Sequence, residues 1–66
     1  MYIVIELQKN IDGVVSNIVT SYNTLAEAEN KYYSILASAC ISTIPVHSAV
    51  IISEEGFTVR SQCYKH

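Results

Sequence analysis

Charge is scarce in this chain: Lys, Arg, Asp and Glu together make up 15% of the residues, against roughly 25% in ordinary soluble domains. The four basic residues, Lys9, Lys31, Arg60 and Lys65, form no run and are outnumbered by six acids, for a net charge of −2. That balance supplies no basic stripe for counterion release, so duplex nucleic acid is not an expected partner. Cysteine is limited to Cys40 and Cys63, too few for a disulfide framework and not spaced as zinc ligands. Both read as reduced, small apolar side chains. Glycine occurs only as Gly13 and Gly56, each at a turn, which leaves no phosphate-binding loop and no dinucleotide fingerprint. The most apolar stretch, residues 41–52, contains Pro45 and His47 and is far shorter than the roughly 20 residues a membrane helix needs. The first residues carry no basic leader and soon reach Glu6, unlike a secretory signal. A soluble intracellular protein that touches no membrane is expected.

At 66 residues the chain hides only about 60% of the surface its unfolded form exposes. One small domain spanning residues 1–66 is the most it can build, with no room for a deep enclosed cleft. Half of the residues are nevertheless apolar. Some of that surface is expected to meet another copy or a partner.

Residues 2–8 alternate with the period of a strand, Ile3, Ile5 and Leu7 on one side and Tyr2, Val4, Glu6 and Gln8 on the other. Asp12-Gly13 is a hairpin signal, and a β-branched stretch over residues 14–22 follows it. Thr24-Leu25-Ala26-Glu27 is a capping box, predicting a helix in which the Thr24 hydroxyl accepts from the Glu27 amide and the Glu27 carboxylate reaches the Thr24 amide. Leu25, Ala28, Tyr32, Ile35, Leu36 and Ala39 recur at helical steps and form its apolar face, and the helix ends near Cys40 or Ser42, ahead of Pro45. A third strand over residues 46–53 sets Val46, Val50 and Ile52 against His47, Ala49 and Ile51. After Glu54-Glu55-Gly56, a fourth strand over 57–64 sets Phe57, Val59 and Cys63 against Thr58, Arg60, Gln62 and Tyr64. The expected fold class is α+β, order ββαββ, with a four-stranded, mostly antiparallel sheet and one helix on one face. One helix covers one face only, whereas the first and third strands are apolar on both. Tyr2, Val4, Ala49 and Ile51 are the expected uncovered set, and a homo-oligomer is the expected consequence.

No constellation for catalysis stands out. His47 has no nucleophile or orienting carboxylate near it in sequence, the serines lie in no nucleophile elbow, and Glu54-Glu55 sits at a solvated turn rather than in a pocket. No catalytic residue, metal site or cofactor is expected, and the chain is not read as an enzyme. Ligand-binding candidates are Arg60 as a bidentate phosphate contact, Tyr64 as a stacking ring, Lys65 and His66 beside it, His47 after Pro45, and Tyr33 at the edge of the helix core. Each has a plainer reading: a solvated tail for Tyr64, Lys65 and His66, a hydrogen-bonded histidine at a subunit contact for His47, and a core boundary for Tyr33. The chain has five tyrosines and no tryptophan, so Tyr is its main large side chain for contact surfaces.

Met1-Tyr2-Ile3-Val4-Ile5-Glu6-Leu7-Gln8, Ala28-Glu29-Asn30-Lys31-Tyr32, Ile44-Pro45-Val46-His47-Ser48-Ala49-Val50, Glu54-Glu55-Gly56 and Tyr64-Lys65-His66 together carry a resemblance covering nearly the whole chain. It resembles a family of small uncharacterised proteins encoded by gut Clostridia and their phages or prophages, whose members often have His where this chain has Tyr33. The resemblance implies a phage or prophage origin and a bacterial cytoplasm, and it brings no activity with it. Two functions follow as expectations. The first is a homo-oligomeric, non-enzymatic binding protein that sequesters a host nucleotide-derived immune signal, an anti-defence sponge. The second is a protein-interaction module that inhibits a host factor or serves as a small virion or phage accessory protein.

Overall fold

A computed structural model describes residues 1–66. The elements are β1 (Tyr2–Lys9), β2 (Val15–Tyr22), α1 (Leu25–Ala39), β3 (Val46–Ser53) and β4 (Thr58–Lys65). The strands form one antiparallel sheet in the order β2-β1-β3-β4, with β1 and β3 in the centre. The fold is thus α+β in the order ββαββ. No helix is long and apolar enough to cross a membrane.

Local chemistry sets each junction. Gly13 takes φ 87° and Gly56 φ 92°, the left-handed conformation that favours glycine in a tight turn. The β1–β2 turn closes through Gly13 N–H to Asn10 O at 2.9 Å and Asn10 N–H to Val14 O at 3.0 Å. Thr24 caps α1 from an extended backbone, its Oγ1 accepting from the Glu27 amide at 3.2 Å. The return half of the box differs from expectation: the Glu27 carboxylate accepts from the Thr24 hydroxyl at 3.0 Å instead of from the Thr24 amide. Beyond Ala39 the chain tightens, with Ile41 N–H donating to Ser38 O and Ser42 N–H to Ala39 O, which satisfies carbonyls that the helix leaves open.

The helix buries Ala28, Tyr32 and Ile35 against Val4 of β1 and Ala49 and Ile51 of β3, and Ala39 is buried at its end. The expectation for the two sheet faces is therefore reversed. Tyr2, Val4, Ala49 and Ile51 share a face by register, but that face lies under α1, and Val4, Ala49 and Ile51 have no exposed surface at all. Small side chains decide the matter: Ala28 on the helix and Ala49 on the sheet let the two layers approach closely. The uncovered face carries Ile3, Ile5 and Leu7 of β1 with Val46, Val50 and Ile52 of β3, flanked by Val15 and Val19 of β2. The sheet thus has an uncovered apolar face, made of the opposite set of residues.

One irregularity shapes the site below. Ile51 pairs with Arg60 and Ile52 with Thr58, so β4 bulges at Val59. An extra residue in a strand reverses the alternation on one side of it. Thr58 consequently joins the open face beside Ile52 rather than sharing a face with Arg60, and Val59 turns toward the helix side.

Candidate functional site: a groove between the helix and the outer strand

Because α1 lies over the two central strands, the outer strand β4 extends beyond its cover. The helix-side residues of β4 are Arg60, Gln62 and Tyr64, opposite Ile51, Ala49 and His47 in the ladder. The flank of α1 facing them carries Tyr33, Leu36, Ala37 and Cys40. Between the two runs lies an open groove of about 570 Å³, lined also by Val59 and Tyr32, a size within the range of small-molecule sites.

Tyr33 is half-exposed on this groove, while Tyr32 beside it is buried. Their rings meet edge to face, with centroids 5.1 Å apart at 77°, a favourable quadrupole arrangement that fixes the Tyr33 ring. Burial pushes the Tyr32 hydroxyl's pKa up; Tyr33 and Tyr64 add to the rise and Arg60 opposes it. At the mouth, Arg60 Nε donates to Glu29 Oε2 at 3.0 Å. The pair is partly solvated, so it contributes little stability. It does orient the guanidinium, and its terminal nitrogens donate to no protein acceptor.

His66 is tied back to the body of the domain. His66 donates its backbone N–H to Pro45 O at 2.8 Å, and its Nε2 lies 2.9 Å from Ala39 O at the end of α1. Its ring lies parallel to that of Tyr64 at 6.4 Å. His66 therefore backs Tyr64 from outside the groove.

His47 lies next to Tyr64 in the ladder, on the helix side, and is 3% exposed. Its Nε2 donates to Glu6 Oε2 at 2.7 Å, and Gln8 Nε2 donates to the same oxygen at 3.0 Å. Burial by itself raises the Glu6 carboxyl's pKa. The hydrogen bonds from His47 and Gln8 and the pull of His47 and Lys31 act the other way and hold it below its ordinary value. His47 Nδ1 is buried without a partner.

Of the six ligand-binding candidates, the structure brings Tyr33, Arg60 and Tyr64 to one groove. His66 packs against Tyr64, and His47 lies buried and paired within the chain. Lys65 is across the sheet, on the open face with Val46. Glu6 supplies the carboxylate that sequence proximity did not reveal, 41 residues from His47. Sequence reading also passed over Glu29, Leu36, Ala37, Cys40 and Gln62. A signal for them existed: residues 29, 33, 36, 37 and 40 follow helical spacing, and Gln62 alternates with Arg60 and Tyr64.

Cys40 and Cys63 are free thiols, and no three His, Cys, Asp or Glu side chains cluster in a way that could hold a metal ion. Compared with known proteins, the chain matches no family model, no curated protein and no solved structure.

Proposed function

We propose that the chain is a non-enzymatic, homo-oligomeric binding protein whose groove between α1 and β4 takes a small ligand with a flat ring and an anionic group, of the nucleotide class. The observation that supports this reading is the meeting of Tyr33, Arg60 and Tyr64 along one groove. Two tyrosine rings offer faces and edges to a base. Gln62 offers an amide, donor and acceptor together, to a base edge. Arg60 offers its terminal nitrogens to phosphate while Glu29 holds it through Nε. In the phage setting that the family resemblance implies, such a protein would hold a host nucleotide-derived signal out of solution. Binding without turnover is all that this requires.

The test is native mass spectrometry of the protein purified from a bacterial host, followed by titration of nucleotides into the stripped protein. An oligomer retaining a nucleotide-sized mass is expected. Arg60→Ala should weaken binding about tenfold or more, a charged hydrogen-bonding group being lost, with little change in melting temperature because its ion pair is exposed. Tyr33→Ala should weaken it too. Unchanged binding in both variants, or no affinity for any nucleotide, refutes the reading.

A second reading, a protein-interaction module that inhibits a host factor or serves in a virion, is favoured by the open apolar face of the sheet. Capture of one host protein through that face by a chain without nucleotide affinity would establish it.

A further inference from the structure

Only eight of the 66 residues are buried, while the open face of the sheet carries Ile3, Ile5, Leu7, Val46, Val50 and Ile52 on its two central strands, Ile3 opposite Ile52, Ile5 opposite Val50 and Leu7 opposite Ser48. Val15 and Val19 extend the patch onto β2, 57% and 56% exposed. We propose that a second copy of this chain covers this face, the two sheets packing face to face with their strand ends exchanged. The inference deepens the homo-oligomer reading above and is independent of what the groove binds.

Area and charge argue for it. Four strands about 4.8 Å apart and about 26 Å long present roughly 500 Å². Two copies then bury about 1,000 Å², the lower bound for a specific interface. A third layer would turn six half-covered aliphatic side chains into a second core, as in two-sheet sandwiches whose sheets lie about 10 Å apart.

Charge fixes the direction. Lys9 and Lys65 both pair with Val46, so the two ammonium groups flank one end of the open face. The β3–β4 turn with Glu54 and Glu55 lies at the other end, next to Ile52. Glu54 also binds the Met1 amine at 3.1 Å; at the lysine end the exposed Asp12 accepts from the Val14 amide through Oδ1. A two-fold axis parallel to the strands would stack lysines on lysines and glutamates on glutamates. An in-plane axis across the strands keeps β4 over β4 and exchanges the ends, so the Glu54-Glu55 turn of each copy lies over Lys9 and Lys65 of the other. Opposite charges at both rims and an apolar centre make the face self-complementary, as an isologous contact requires.

The experiment is sedimentation and native mass spectrometry of the whole chain across a concentration series. The wild type is expected to dimerise at micromolar concentration. Val50→Asp and Ile5→Asp, each placing a carboxylate at the centre of the face, should raise the dissociation constant about tenfold or more. Lys9→Glu combined with Lys65→Glu should weaken the dimer about threefold to tenfold at low salt. Adding Glu54→Lys and Glu55→Lys in the same chain should restore it. If the aspartate variants fail to fold, the exposed charge variants decide.

A dimer unaffected by the central aspartates overturns this interface while leaving the homo-oligomer reading intact. A dimer whose strength ignores the paired lysine reversal overturns the exchange of ends. A wild type that stays monomeric overturns both the interface and the homo-oligomer reading, and leaves the face to a different protein.

Discussion

Replacing Glu6 tests whether the buried polar cluster under the helix is held together as described. Glu6 Oε2 accepts from His47 Nε2 at 2.7 Å and from Gln8 Nε2 at 3.0 Å. Glu6→Ala removes that acceptor. His47, 3% exposed and already lacking a partner at Nδ1, is left with neither ring nitrogen bonded. Gln8 is half-buried and can turn to water. The loss is then mainly one buried donor left unpaired, about 2 kcal/mol. A domain of this length has about 3 to 10 kcal/mol in all, and the melting temperature should fall about 10 °C. Glu6→Gln keeps an acceptor and loses its charge, which halves the effect to about 1 kcal/mol.

Two further measurements separate this cause from a general loss of packing. His47→Leu added to Glu6→Ala removes both partners together, so the double variant should recover part of the loss, a coupling of about 1 kcal/mol. The pH dependence has a definite sign. The folded-state pKa of Glu6 is depressed below 4.5, so its contribution is complete above the ordinary carboxylate range and is lost as pH falls through the depressed value. Urea midpoints between about pH 3 and 6 should show a shallower acid slope in Glu6→Gln than in the wild type. A melting temperature lowered by less than about 3 °C in Glu6→Ala, with no recovery in the double variant, would refute the reasoning.

Two local features yield smaller effects. Thr24→Ala removes the acceptor of the Glu27 amide and the donor to its carboxylate, and should cost about 1 kcal/mol; an unchanged thermal midpoint would show that the cap contributes nothing. Gly13→Ala meets no steric obstacle, yet Gly13 sits at φ 87°, so the expected loss of about 1 kcal/mol in urea denaturation comes from backbone strain alone.

The order of elements was legible because each boundary has its own chemistry. Asp12-Gly13 marks the first hairpin, Thr24 with Glu27 the helix start, Pro45 the entry to β3 and Gly56 the second turn, and all four lie where the sequence puts them. Alternation also sorted β1 and β3 into the correct pairs of faces. It failed on β4 only ahead of Arg60, where the bulge at Val59 inserts a residue; no glycine or proline marks that position. The groove was half legible. Arg60 and Tyr64 follow from alternation and Tyr33 from its place on the helix, but their meeting depends on β4 lying outside the helix's cover, which follows from the strand order β2-β1-β3-β4. Pairing of β1 with β3 is a long-range contact that no local signal encodes.

The reversed assignment of the two sheet faces has a more general cause. Polar residues are ordinarily evidence that a strand face looks outward, and the face with Glu6, Gln8 and His47 is the more polar of the two on β1 and β3. Here the three side chains bond to one another around a single carboxylate oxygen, so their polarity is largely satisfied within the protein and does not demand water. With polarity neutralised, side-chain volume decides which face the helix covers. The alanines at 28 and 49 let α1 sit close over Val4 and Ile51, while the branched chains of Ile3, Ile5, Leu7, Val50 and Ile52 remain on the other side. The Glu6–His47 pair, which spacing in the sequence does not reveal, is therefore what lets the more polar face lie under α1 and leaves the opposite, aliphatic face uncovered. Disrupting Glu6 or His47 should consequently lower the stability of the folded chain without altering the charge pattern proposed to direct its pairing with a second copy.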